Sequence, residues 1–195
     1  MKYYILFGPP GAGKGTQAGN MVETYKLKHI STGELLRAEI KAGTELGNKA
    51  KELIAAGCLV PDEVVEGMIE SVFNNTTGVE GFLLDGFPRT LPQAKALDEM
   101  LAKRGEELTG VISLMINDEV IKARIAHRAA IEGRADDAKE ETIQNRINTY
   151  HNQTEPLIDY YKAAGKYHEI DGDGGPGLEG IEVVRGRLTE VMKNL

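Results

Sequence analysis

Six residues, KYYILF (2–7), run straight into GPPGAGKGTQ (Gly8–Gln17) and then into a segment with apolar residues at Met21 and Val22. The first run is a short, almost wholly apolar strand of the kind buried on both faces. Gly8, Gly11, Gly13 and Gly15 then let the chain turn tightly, so that successive backbone N–H groups fold around an anion while the new helix adds its positive end. Lys14 is placed to reach the outer phosphates of a nucleotide. The strict pattern has Ser or Thr directly after the lysine; here Gly15 intervenes and Thr16 follows. Strand, glycine loop, lysine and helix in this order predict a nucleotide-phosphate site.

Such a site fixes the rest of the plan. Further strand-like runs occur at KHIS (28–31), GFLLD (81–85), GVISLMI (110–116) and KYHEID (166–171), separated by stretches with helical periodicity such as Leu97, Met100 and Leu101, or Val183, Val184, Leu188 and Val191. Strands alternating with helices imply parallel crossovers, and hence a three-layer α/β domain with a five-stranded parallel sheet between helices. Two crossovers are oversized: residues 32 to 73 hold three helical pieces, and residues 118 to 163 hold two, interrupted near Gly133. Both are expected to leave the core as lids. GDGGPGLEG (172–180) reads as a glycine-rich loop entering the last helix.

Composition narrows the partners. A chain of 195 residues with 41% hydrophobic content suits one domain, and a formal net charge of −7 argues against a nucleic-acid or anionic-lipid surface. Cys58 is the one cysteine, which rules out an intramolecular disulfide or a cysteine-rich zinc site and favours a reducing, cytoplasmic setting. YYILF is too short for a signal-peptide core, and no apolar run approaches the roughly 20 residues of a membrane span. Against this acidic background, six of the nine arginines (Arg37, Arg89, Arg124, Arg128, Arg134 and Arg146) fall in or beside the sequence motifs. Guanidinium groups grip phosphate bidentately and stay charged, so the cluster points to a polyphosphate ligand captured locally.

The full string GPPGAGKGTQ resembles the nucleoside monophosphate kinase family. ISTGELLR (30–37), GCLVPDE (57–63) and LLDGFPRTLPQA (83–94) narrow the resemblance to the short-lid adenylate kinases, and it runs from the first strand to the last helix. It implies the P-loop NTPase fold, with residues 31–60 as an insertion over AMP and residues 127–138 as a short lid over ATP. It implies reversible transfer between ATP and AMP giving ADP, with Mg²⁺, no structural zinc, no nucleic-acid or membrane partner, and a monomer. ATP would lie on Gly11, Ala12, Gly13, Lys14, Gly15, Thr16, Arg128 and Gly174. AMP would lie among Thr32, Arg37, Cys58, Leu59, Val60, Gly86, Phe87, Pro88, Arg89 and Gln93, with Arg134 and Arg146 reaching it. Lys14, Arg89, Arg124, Arg128, Arg134 and Arg146 would carry catalysis, and Asp85 would hold magnesium through water. A cis bond is expected at Phe87–Pro88.

Two details bear on specificity and motion. Thr32 and Thr90 favour the adenylate form over the UMP/CMP kinases, the nearest alternative; a catalytically silent nucleotide-binding module is the other. AAIEG (129–133) departs from the family, which usually places a glycine and polar residues there, so Ala129, Ala130 and Ile131 are expected to extend the helix and stiffen the hinge. The histidines at 29, 127, 151 and 168 show no metal-ligand spacing and receive no role.

Overall fold

The computed structural model describes residues 1–133 and 139–195. Five strands, β1 (Lys2–Phe7), β2 (Leu27–Ser31), β3 (Gly81–Asp85), β4 (Gly110–Met115) and β5 (Tyr167–Asp171), form one sheet in the order β2-β3-β1-β4-β5, with every pairing parallel. Each matches a strand expected from the sequence, to within a residue at either end.

In β1 the alternation typical of a half-exposed strand is missing because both faces are covered. Tyr3, Ile5 and Phe7 enter one core with Phe82, Leu84 and Val111, while Tyr4 and Leu6 enter another with Leu83, Ile112 and Leu114. Helices α1 (Lys14–Tyr25) and α9 (Gly177–Met192) close the second core through Met21, Val184 and Leu188. On the first face α4 (Asp62–Asn75) contributes Val65, Ile69 and Phe73, α5 (Leu91–Lys103) Leu97 and Leu101, and α8 (Leu157–Ala163) Leu157 and Tyr161.

The first oversized crossover holds α2 (Thr32–Ala42), α3 (Glu45–Ala55) and α4, as the sequence predicts. Side chains cap the first two: Ser31 accepts from the Glu34 N–H and Thr44 from the Gly47 N–H, each satisfying a donor that a helix start leaves unpaired. The second crossover differs from expectation. It contains α6 (Asp118–Glu132) and α7 (Glu140–Thr149), but α7 passes through a π-helical turn at Tyr150–Thr154 and Pro156 starts a separate helix, α8. The widened turn and the proline, which lacks an N–H to continue the ladder, divide what periodicity reads as one helix. Helix α6 does run through Ala129, Ala130 and Ile131, ending at Gly133 with φ +62°.

Four isoleucines, Ile121 and Ile125 of α6 with Ile143 and Ile147 of α7, form a third core apart from the two that line the sheet. Their i,i+4 spacing puts each pair on one face, so the two helices hold each other.

Candidate active site

In an open parallel sheet, ligands bind beyond the carboxyl ends of the strands, where neighbouring connections diverge to opposite sides. Here that point lies at β1, flanked by β3 and β4. A single cleft of about 1230 Å³ opens there, lined by the phosphate loop, the start of α2, residues 57–60, the turn after β3, α6, α7 and the loop before α9.

The phosphate loop crosses directly over β4. Gly8 has φ +139°, and a Cβ there would lie 2.6 Å from the Leu114 carbonyl oxygen, so only glycine fits. Gly11 to Thr16 all line the cleft, and α1 begins at Lys14, with Gly15 and Thr16 exposed on its first turn. The Lys14 ammonium folds back to donate to the carbonyl oxygens of Gly8 at 2.8 Å and Pro9 at 2.9 Å. Burial pushes its pKa down to about 8; Asp85 opposes the shift, and the charges of Arg89 and Arg128 add to it. Phosphate oxygens entering this loop would meet a lysine already surrounded by positive charge.

Asp85 ends β3 beside the loop. Burial pushes its carboxyl up, but His29, Lys14 and Arg89 more than offset this, and it stays ionised below the usual range. His29 Nε2 lies 3.5 Å from its Oδ2. The contact follows from strand register: Ser31 of β2 pairs with Asp85, and His29, two residues earlier, shares its face. No motif contains His29, and only the order of strands in the sheet reveals its place.

The turn after β3 builds one wall. The Phe87–Pro88 bond is cis, as expected. Gly86 has φ +82°, and a Cβ would meet Thr32 Oγ1 at 2.7 Å and an Arg89 Nη at 2.9 Å. Its carbonyl accepts from both Thr32 Oγ1 at 2.9 Å and Arg89 Nε at 2.8 Å. Gln93 is buried, and its amide is engaged at both ends: Oε1 accepts from the Arg89 N–H at 2.8 Å, and Nε2 donates to Asp62 Oδ1 at 2.7 Å. That leaves one N–H and one lone pair for a ligand. Thr90 caps α5 and donates to the same Asp62 oxygen at 3.0 Å. Asp62, which lies in GCLVPDE (57–63) but is given no role by the sequence, thus holds two residues of the LLDGFPRTLPQA motif.

The arginines converge. Arg37, Arg89, Arg124, Arg128 and Arg146 all line the cleft, as do Cys58, Leu59 and Val60. Arg89's surroundings depress its pKa, first through burial; Asp85 works against this, and the charges of Arg146 and Arg37 reinforce it. Arg124 donates to the carbonyls of Ala12 and Gly172, both at 3.4 Å, and faces Asp173 at 3.6 Å, tying α6 to the phosphate loop and the glycine-rich loop. Arg146 packs its stem beside Gly57.

Two expected residues stand apart. Gly174 faces the Gly180 backbone, while Gly175, Pro176 and Gly177 line the cleft. Arg134 lies outside the described residues. His127 and Ile131, one helical turn apart on α6, also line the cleft. Among the described residues no helix is long and apolar enough to cross a membrane.

Comparison with known proteins agrees with this geometry. The adenylate kinase family model matches residues 6–166. Curated adenylate kinases of similar sequence include one from Leptospira biflexa, 51% identical over 89% of this chain and 93% of its own. Another, from Bacteroides thetaiotaomicron, is 49% identical over 87% of this chain and 89% of its own. A third, from Flavobacterium psychrophilum, is 47% identical over 98% of both chains. With a phosphate loop, a half-buried lysine and five converging arginines in one cleft, the chain belongs to the adenylate kinase family of phosphotransferases.

Proposed function

We propose that the protein catalyses reversible, Mg²⁺-dependent phosphoryl transfer, ATP + AMP = 2 ADP, as a cytoplasmic monomer. The observation that carries this reading is the convergence of Lys14, Arg37, Arg89, Arg124, Arg128 and Arg146, from five separate segments, on one cleft with two wings. The donor wing consists of the phosphate loop, α6, Gly172 and residues 175–177. The acceptor wing consists of Thr32, Arg37, residues 57–60, Gly86 to Arg89 and Gln93.

A phosphate monoester has its second pKa near about 6, so the attacking AMP oxygen is already largely unprotonated at neutral pH and needs no general base. The protein's task is in-line placement and neutralisation of charge on the moving group. Lys14 turns from its own loop carbonyls to the donor phosphates. Arg124 and Arg128 approach from α6, while Arg37, Arg89 and Arg146 hold the acceptor phosphate opposite.

The donor set suits magnesium: Asp85 is kept ionised at the cleft floor and Thr16 presents an exposed hydroxyl at the start of α1. When bound, the ion would neutralise charge on the donor phosphates. Water competes with AMP as acceptor, and closure of residues 31–60 and 127–138 over the two substrates would exclude it.

A coupled assay of ATP against AMP, UMP, CMP and GMP tests the reading. ADP formation with AMP well above the other three is expected. Preference for UMP or CMP would make it a pyrimidine nucleotide kinase, and ATP binding without product would make it a silent binding module.

A further inference from the structure

His151 lies in the π-helical turn just after α7 and is held by carboxylates on both sides. Its Nδ1 is 2.6 Å from Glu155 Oε2, and its Nε2 is 3.1 and 3.2 Å from the two oxygens of Asp118. Asp118 is the first residue of α6. The imidazole therefore joins the point where the chain leaves the sheet for α6 to the point where it returns from α7. Among the described residues these helices also pack together through Ile121, Ile125, Ile143 and Ile147, a cluster distinct from the two cores of the sheet. One helix carries Arg124 and Arg128 and the other carries Arg146.

We infer that His151 is a positioning residue: by clasping Asp118 and Glu155 it sets how the arginines of α6 face the arginine of α7, and its protonation tightens or loosens that clasp. An imidazolium donates from both nitrogens, satisfying both carboxylates. A neutral ring has one N–H, and its bare nitrogen then faces a carboxylate. The charged groups acting on His151 are Glu155 on its own segment and Asp118 across on α6; Tyr150 offers a ring at 5.5 Å. The bond to Glu155 raises its pKa above the ordinary histidine value, with burial opposing and Asp118 adding to the rise. The clasp is thus fully formed below about pH 6.5 and is lost as pH rises through the higher folded-state value.

The inference rests on the proposed transfer between ATP and AMP, and the experiment separates the two. Initial rates and melting temperatures are measured from pH 5.5 to 9 for the native protein, His151→Gln and His151→Lys, with Asp118→Asn as a second way to open the clasp. Absence of ADP formation by the native protein would defeat the activity; the clasp is then decided by ATP affinity, measured calorimetrically on the same proteins across the same pH range in place of the rates.

Relative to native, His151→Gln is expected to lose about two- to fivefold in kcat/KM for ATP at pH 6, the scale of a half-exposed ion pair. As pH rises through the folded-state value and the native ring loses its proton, the two should converge, and their melting temperatures should converge likewise. His151→Lys keeps its charge and should flatten the pH dependence of the clasp. A native-to-Gln ratio independent of pH would overturn the inference, as would melting changes without any kinetic change, which would leave a structural tie only. Identical behaviour of the Lys and Gln variants would overturn it too.

Discussion

Removing the Asp62 carboxylate should damage the acceptor wing without touching the nucleotide directly. In the native structure Asp62 Oδ1 accepts from Gln93 Nε2 at 2.7 Å and Thr90 Oγ1 at 3.0 Å, and the other end of the Gln93 amide holds the Arg89 N–H. In Asp62→Ala the Gln93 amide, only 2% exposed, is left with an unpaired donor, which costs about 1–3 kcal/mol. Thr90 is half-buried and rehydrates more easily, adding about 0.5–1 kcal/mol. Loss of an acidic residue from the first turn of α4 removes a further ~0.3–1 kcal/mol of helix-end stabilisation.

The total is about 2–5 kcal/mol. At about 2–4 °C per kcal/mol for a protein of this size, melting should fall by about 4–20 °C. Because Gln93 anchors the Arg89 backbone, KM for AMP should rise several-fold while KM for ATP stays near native. Asp62→Asn keeps an acceptor oxygen and should recover most of both losses. Calorimetry and steady-state kinetics on the three proteins decide it. An alanine variant with native melting and native KM for AMP would refute the chain of support from Asp62 through Gln93 to Arg89, and so would an asparagine variant as damaged as alanine.

Other expectations concern residues that would meet the nucleotide. Lys14→Ala should abolish phosphoryl transfer with the fold retained, checked by circular dichroism and turnover; unchanged turnover in a pure sample would remove the lysine from the reaction. With Lys14 at about 8 when folded and near 10.4 when unfolded, its contribution makes stability rise with pH between those values. Nucleotide phosphates should raise the folded value again, so calorimetric binding at pH 8.5–9 in buffers of different ionisation heat should show proton uptake by the native protein and less by Lys14→Met. Thr32→Ala should weaken discrimination against UMP and CMP, read from kcat/KM across the four monophosphates.

The strands were legible because a parallel sheet covered on both faces leaves short apolar runs such as YYILF and GFLLD, bounded by glycines and charges. Their order was not, since crossover length says little about which edge a strand joins. That order brings His29 to Asp85, a contact no local pattern contains. The phosphate loop and the arginines were legible as residue types at fixed spacing. Gln93's internal partners were hidden because Asp62 lies 31 residues away on another helix. Gly174 and its neighbours illustrate a further limit: in DGDGGPG several glycines permit the same turn, and only packing against Gly180 decides which faces inward. The division of α7 from α8 was missed because an apolar stripe continues across the π-helical turn through Ile147, Tyr150 and Leu157.

The resting position of Lys14 gives binding at the phosphate loop the character of an exchange reaction. Its ammonium is already solvated from within by the Gly8 and Pro9 carbonyls, so an incoming phosphate must displace them rather than simply add to a bare charge. A ligand succeeds only if its own negative charge outweighs two neutral oxygens. Weakly charged or neutral molecules gain little by that trade, and the loop can reject them before any base is inspected.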